Sequence, residues 1–571
     1  MSWLFGISGN YNGLEEKAFT NKNLLFSFQS QNLKIFVGGL KENVFYEKIN
    51  ESEGWVVCGI GIKKNQSNYR FMDFNDWKEF LSKEEKNTEE LNGHFIIVRW
   101  SNNGIKFFND KLGVRELYIL RDKYLTLFST RLDFFSFLNH RFEINFEEVG
   151  SYWLLSFPPS NNSLFKRIVR LSPGGELKIS KDGFIKKDNP LIFDFGNESD
   201  SNEFIEDLYN ITTFPLFQGK DVSLGLSGGL DSRVLLEMFL NSNSKNWQTH
   251  FFGSKDLPDV KIAEQISTEN NLPYLNLHEP IPNSDFCLSH LKNCIGQLGL
   301  TTPASEILIY PNYEFLFNKG WIIIDGGDGE IHRREFLNRI LFLAKRTIIK
   351  EDPKNLYKLL SFSRADIFNN EALILMEKGA KKQISGLFNS VPKYHNIGLE
   401  NWLDLIILKY KLPNFTGPSQ SLLDSMSIAY MPYIQPHLLE LSFRLSLNKK
   451  KNGKIFRGIL DISVNKLNSY HLVKNSIYYP YHTNSSLKRF ILAYKRKVGK
   501  YYKDKTSEEF LDVMKEYIFD TLISAEFNSF SYYNHAKIIR MVSEYYEGNK
   551  ALANQINWWL TFDIWRSIFL K

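Results

Sequence analysis

Apolar and polar positions change rhythm near residue 195 of this 571-residue chain. Before that point the apolar residues come in short runs: Leu24 to Phe28, Leu33 to Val37, Trp55 to Ile62, Gly93 to Trp100, Gly104 to Asn109, Leu117 to Leu120 and Tyr124 to Ser129. Turns containing Asn, Gly and Lys separate them, so each run predicts a strand and the region reads as an all-β or α+β layer. The polar stretch Gly196 to Glu203 predicts a linker. Beyond it Val222, Leu224 and Leu226 alternate as a strand does, while Val234, Leu235, Met238 and Phe239 recur at helical spacing. Ser227 to Ser232 is therefore the corner between a strand and a helix. Trp247 to Phe252, Tyr274 to Leu277 and Trp321 to Ile324 predict further strands, and Val260 to Glu269 a helix with Ile262, Ala263 and Ile266 on one face. Strands alternating with helices imply a parallel sheet whose ligands lie at the carboxyl ends of the strands. The region from Asn401 onward reads as helices, and aromatic Gln555 to Arg566 reads as packed core.

Composition narrows the class. The length predicts two or more domains, and 43% hydrophobic residues suffice for proper cores. Seventy basic against 64 acidic side chains leave a net +6 spread over a large surface, which does not argue for nucleic acid. Cys58, Cys287 and Cys294 make neither a disulfide framework nor a zinc cluster, which fits a reducing cytoplasm. No secretion signal or membrane-spanning run is expected.

The corner Ser227-Gly-Gly-Leu-Asp-Ser232 suits an anion. Gly228 and Gly229 allow torsions and close approach that a side chain would block, and the helix starting near Asp231 points free N–H groups and its positive dipole end at the corner. No Gly-Lys-Ser/Thr follows the glycines, and Gly-x-Gly-x-x-Gly spacing is absent, which excludes two common nucleotide loops. On its residues alone the hexapeptide stays open between a phosphate site and a tight turn capped by Asp231. At the end of a first strand, Ser-Gly-Gly-x-Asp-Ser resembles the pyrophosphate loop of the N-type ATP pyrophosphatases. These cleave ATP between the α and β phosphates and adenylate their substrates. The resemblance implies that Ser227, Gly229 and Ser232 hold the pyrophosphate and Asp231 a magnesium ion.

The strand ending at Ile324 runs into Asp325-Gly-Gly-Asp-Gly-Glu330. Two carboxylates between glycines at a strand end suit a magnesium ion shared with phosphate oxygens, and alone they read equally as a solvated turn. The phrase resembles Ser-Gly-Asp-Gly-Gly-Asp-Glu of asparagine synthetase, in the same order after the pyrophosphate loop. That match implies Asp328 beside Asp231 at magnesium and Asp325 next to the reacting carboxylate. The family's Asp-Glu is here Asp328-Gly329-Glu330. Leu226, Gly228, Phe252, Gly253, Ser254, Gly326 and Gly327 complete the implied nucleotide site, and Pro258-Asp259 resembles the segment near the adenine. Further on, Asn401 to Pro413 and Leu422 to Ile434 resemble helical segments of the family. Asn452-Gly-Lys-Ile-Phe-Arg457 resembles its Gly-Lys-x-x-x-Arg phrase with one residue fewer, which implies Lys454 as the catalytic lysine on the oxyanion. Lys449 to Lys451 reads as a surface run and Lys488 to Lys505 as a solvated helix face.

The first region carries the same resemblance. Leu91-Asn-Gly-His-Phe95, Asn109-Asp-Lys-Leu-Gly-Val-Arg-Glu-Leu-Tyr118, Ser129 to Asp133 and Leu171-Ser-Pro-Gly-Gly175 are similar to the inner strands and closing turn of the family's glutaminase domain. A working glutaminase of this type needs cysteine after the initiator methionine, to supply both thiolate and amine. Position 2 is Ser2, and the family's substrate-holding motifs are replaced by Val37-Gly-Gly39 and Cys58-Gly-Ile-Gly61. The domain reads as a scaffold without glutaminase activity.

The resemblance covers nearly the whole chain and implies an α/β multidomain protein. Residues 1–195 would form an Ntn-hydrolase-like α+β glutaminase-type domain. Residues 204–571 would form an α/β ATP-pyrophosphatase (adenine nucleotide α-hydrolase-like) synthetase domain with a helical C-terminal part. The implied cofactors are ATP and Mg2+, and the implied partners a small-molecule or peptide carboxylate and an amine, with no nucleic acid or membrane. The expected activity is amide formation through an acyl-adenylate, as in the β-lactam synthetases and lasso-peptide cyclases that share the architecture. Glutamine- or ammonia-dependent asparagine synthesis stays open beside it, as does an inactive nucleotide-binding homologue. Leu300 to Ser305, part of the expected substrate pocket, departs from the aspartate-binding pattern.

Overall fold

The computed structural model describes residues 2–9, 19, 22–66, 68–83, 91–122, 125–138, 142–180, 183–189, 191–195, 200–335 and 338–570. The N-terminal region holds two antiparallel sheets. One has the strand order Ile168–Arg170, Tyr118–Arg121, Leu125–Ser129, Trp3–Gly9, Leu33–Gly38, Leu24–Gln29. The other runs Gly183–Lys187, Glu176–Ser180, Gly104–Asn109, Asn92–Ser101, Gly54–Asn65, Val44–Lys48, with Asn68–Phe71 also on Gly54–Asn65. Every run expected to be a strand is one, with Tyr124 outside the described residues. Alternation explains the pairing: Leu4, Ile35 and Val37 of one sheet and Val56, Cys58, Ile96 and Val98 of the other share a buried cluster. Trp3–Gly9 was not expected as a strand. It lies inside its sheet with Leu4 in that cluster and Trp3, Phe5 and Ile7 in a second one, so burial on both faces erases the polar half of the pattern.

A third sheet of five parallel strands carries the rest: Tyr274–Leu277, Trp247–Phe252, Val222–Gly225, Ile322–Ile324, Ala429–Tyr430. Helices Leu230–Asn241 and Pro258–Glu269 contribute Val234, Leu235, Val260 and Ile266 to one core with Val222, Leu224 and Ile324. Ile323 and Ala429 join the other core, built around Trp559 and Trp565 of helix Ala553–Phe569, so the aromatic C-terminal segment is packed interior as expected.

Three expectations need correction. Leu422 to Ile434 is not one helical segment: helix Gly417–Leu423 ends, and Ala429–Tyr430 leaves as the fifth strand, too short for a period to show. Asn401 to Pro413 begins in helix Leu399–Ile406 but passes into a π-helical stretch, Ile407–Thr416, containing Pro413, which lacks the N–H a regular ladder needs. The linker is also shorter, because Asp200 accepts from the Asn202 N–H and helix Ser201–Phe217 starts inside the polar stretch. Residues 196–199 lie outside the described residues.

Candidate active site

Val222–Gly225 delivers the corner to the carboxyl edge of the parallel sheet, where Leu226 is buried and helix Leu230–Asn241 begins after Gly229. The corner folds on itself. Ser227 N–H donates to Ser232 Oγ at 3.1 Å, Gly229 N–H to Ser227 Oγ at 3.1 Å, and Gly228 N–H to Asp259 Oδ1 at 3.1 Å. Asp259 therefore sits against the loop that was expected to bind phosphate, and burial raises its carboxyl above the usual range. Gly228 is required by crowding: a Cβ there would lie 2.5 Å from Val473 Cγ2. Val473 N–H also donates to Gly228 O at 3.0 Å. Arg233, fully buried, donates to the carbonyls of Tyr470 at 2.9 Å and Gly228 at 3.2 Å and to that of His471, which ties this segment over the loop.

The Asp325–Glu330 turn packs directly on this corner. A Cβ on Gly326 would meet Ser232 N at 3.1 Å, one on Gly327 Met431 Sδ at 2.7 Å, and one on Gly329 Asp231 Cγ at 2.7 Å. Only glycine lets the turn pass between the helix start and the Met431–Ile434 segment, whose Tyr433 hydroxyl donates to Asp231 O at 2.9 Å. The structure thus brings the two sequence-identified motifs together although they are distant in the chain. Burial, with the neighbouring Asp328 charge, raises the Asp325 carboxyl, against the opposing N–H groups of Gly327 and Gly326. On the same edge Gly253 adopts φ +109, open to glycine, and Phe252 packs on Tyr313 with ring centroids 4.9 Å apart. Ser254 Oγ accepts from the Asp256 N–H at 3.3 Å.

Asp231 and Asp328, expected to share magnesium, each have a partner already. Arg333 Nε donates to Asp231 Oδ1 at 2.7 Å and its Nη2 to Oδ2 at 2.9 Å. Asp328, at φ 59, accepts from Thr416 Oγ1 at 2.7 Å and lies 3.9 Å from Lys411 Nζ. Among the described residues no group of three or more His, Cys, Asp or Glu side chains converges as a metal site. With both oxygens of Asp231 held by a guanidinium, the residues present do not fit a magnesium ion there. Arg333 also reaches Glu335 at 2.7 Å, and Lys488 pairs with Glu335 at 2.7 Å. Burial would raise the Glu335 carboxyl, but Arg333, Lys488 and Lys474 hold it down at about 2. Lys488 is accordingly not part of a wholly solvated face: it is buried, while most of the basic residues after it on helix Ser485–Lys497 are exposed.

Lys454 starts helix Lys454–Asp461, is exposed, and donates to Asn448 Oδ1 at 2.7 Å. The preceding Gly453, at φ +67, would place a Cβ 3.1 Å from Leu230 Cδ2 and 3.4 Å from Arg333 Cβ, so the lysine stands at the rim of the site. Lys450 corrects the reading of a surface run, being completely buried. Arg333 and Arg233 were missed, and Asp259, expected in the segment near the adenine, lies instead on the Gly228 N–H. Arg333 follows the acidic turn in sequence but belongs to no spacing pattern, and its contact with Asp231 spans 102 residues.

In the N-terminal region Ser2 is buried, and Arg115 donates to its carbonyl at 2.6 Å and its hydroxyl at 3.3 Å. Arg115 is itself held by Asp424 at 2.7 Å, and Asp424 by His94 at 2.9 Å. Burial acts to raise the Asp424 carboxyl, yet His94 and Arg115 hold it below the usual range. Ser2, where an N-terminal nucleophile would stand, is thus enclosed by a buried polar network that crosses to the C-terminal part through Asp424.

No protein-family model matches the sequence, and no curated protein does. Among solved structures, a glutamine-dependent NAD+ synthetase from Acinetobacter baumannii, in complex with ADP, aligns at 14% identity and TM-score 0.19, over 30% of this chain and 32% of its own. The allosteric regulatory enzyme of purine biosynthesis aligns at 12% identity and TM-score 0.20, over 50% and 71%. An NH3-dependent NAD synthetase from Campylobacter jejuni aligns at 14% and 0.18, over 32% and 94%. The chain spans about a third of the first of these, and at such scores none of the three carries an argument about this fold or its chemistry. The architecture stands on its own description: mixed α/β, with several sheets and a parallel one at the site.

Proposed function

We propose that the chain is an ATP-dependent ligase that forms amide bonds. The observation that carries the reading is the contact of two glycine-rich turns at the carboxyl edge of adjacent parallel strands, Ser227–Ser232 against Asp325–Glu330. A helix start at such an edge supplies unpaired N–H groups and a positive dipole end for phosphate. The polyphosphate would lie against Ser227, Gly229 and Ser232, with the base toward Phe252, Gly253 and Ser254. A substrate carboxylate attacks the α phosphorus, the bond to the β-phosphate oxygen breaks, and pyrophosphate leaves. An amine then attacks the acyl carbon, AMP leaves with the C–O bond electrons, and the amine proton goes to a base. Asp325, its basicity increased by burial, is proposed for that proton, and Lys454 for the oxyanion once it swings from Asn448.

Residues 1–195 are proposed as a retained scaffold and 204–571 as the synthetase unit. The closed surroundings of Ser2 support an amine that does not come from glutamine hydrolysis, in a substrate or a second molecule. Incubation with ATP, a panel of carboxylates and free amines should give AMP and pyrophosphate, with no glutamate when glutamine is the only nitrogen source. ADP and phosphate as products, or glutamate release lost in Ser2→Ala, would contradict the proposal. A second reading, an inactive nucleotide-binding homologue, is favoured by one feature: Asp259 occupies the Gly228 N–H. That reading predicts ATP binding without either product.

A further inference from the structure

We infer that the nucleotide's phosphate charge is met by Arg333 and Lys474 in place of a divalent cation, so that ATP binds with no metal bridge from Asp231. The inference rests on the nucleotide reading above and concerns how that same site neutralises its ligand. The planar fork of Arg333 covers both oxygens of Asp231, at 2.7 and 2.9 Å, and its remaining terminal nitrogen meets Glu335 at 2.7 Å. A guanidinium has five N–H donors; these contacts use three, and Glu330 lies 3.6 Å from Nη2, which leaves the second N–H of Nη1 for a phosphate oxygen. The stem cannot wander. The Arg333 side chain is only 12% exposed and Gly453 packs on its Cβ.

Lys474 supplies the second charge. Its ammonium lies 3.5 Å from Glu330 and 3.8 Å from Glu335, too far for tight pairs, on a side chain 38% exposed. It is carried by the Leu472–Lys474 strand, whose Val473 N–H is bonded to Gly228 O of the phosphate corner, so the ammonium belongs to the wall of the site. Magnesium would have to displace Arg333 from Asp231 first. That step takes a largely shielded guanidinium from its two-point carboxylate partner, and magnesium gives up its waters reluctantly. Asp231 then acts through Arg333 as a positioning residue, and Arg333 touches the ligand.

ATP affinity of the full chain, measured by titration calorimetry in magnesium chloride and in excess EDTA, tests this. Wild-type protein should bind equally well in both. Arg333→Ala should lose on the order of tenfold or more in EDTA, the scale of one charge-assisted contact. Because the substitution frees Asp231 for a metal, the variant should regain affinity with magnesium, so metal dependence appears only there. Wild-type binding that requires magnesium would overturn the inference while leaving the nucleotide reading intact. Absence of wild-type binding in both buffers would overturn the nucleotide reading, and the inference with it. The wild-type comparison needs no variant, so a failure of Arg333→Ala to fold leaves the test in force.

Discussion

Lys450 brings an ammonium into the interior with no hydrogen-bond acceptor among the described residues, 5.0 Å from the ring of Phe443. Burial drives its pKa from 10.5 down to about 8, Asp404 opposes this, and Arg334 adds to it. Below pH 8 the amine is protonated in both folded and unfolded chains, and the full cost of the buried charge, about 3 kcal/mol, is present. Between about 8 and 10.5 the unfolded chain binds the proton more tightly, so stability rises with pH. Lys450→Met, close in length and uncharged, should therefore raise the urea midpoint at pH 7 and remove that rise. An equal midpoint difference at pH 7 and pH 10.5 would show that the amine is not the cause. The same residue marks a boundary of sequence reading: in Lys449-Lys-Lys451 nothing distinguishes the buried lysine from its neighbours, because a short turn sends one of three inward.

At the scale of elements, the strand Leu472–Lys474 and the Ser227–Ser232 corner act as one unit, joined by Val473 N–H on Gly228 O and by Arg233. Gly228→Ala should destabilise by about 1–3 kcal/mol, since the new methyl falls 2.5 Å from Val473 Cγ2 on a β-branched side chain with little freedom to turn. Val473→Ala in the same chain should recover most of the loss, as read from denaturant midpoints of single and double variants. A neutral single variant, or no recovery, would mean the corner is looser than described. Strands with a wetter face, such as Gly104–Asn109 with exposed Lys106 between buried Ile105 and Phe107, carry an alternating signal, whereas the two-residue Ala429–Tyr430 cannot, and central Trp3–Gly9 loses it to burial on both sides. The corner itself was readable because strand period, glycines and helix period meet there. The cover supplied by Leu472–Lys474 was not, since it lies more than two hundred residues away and is held through backbone groups that any sequence offers.

Over the whole molecule, the N-terminal sheets meet residues 424–435 through buried polar groups. Asn43 Nδ2 donates to Asp424 O and Ser427 O, Gly93 N–H to Gln435 Oε1, and Arg115 links Ser2 with Asp424. That position 2 is serine was plain in the sequence. The network that closes the space around Ser2 was not, because Arg115 and Asp424 are 309 residues apart. This arrangement leaves the carboxyl edge of the parallel sheet as the place where chemistry is proposed. The most direct measurement is a crystal structure of the full chain with an ATP analogue carrying a methylene between the α and β phosphates. The account predicts the phosphates against Ser227, Gly229 and Ser232, the base beside Phe252, and an Arg333 nitrogen within hydrogen-bond distance of a phosphate oxygen. An analogue bound elsewhere, or a phosphate chain directed away from the Leu230–Asn241 helix start, would contradict it.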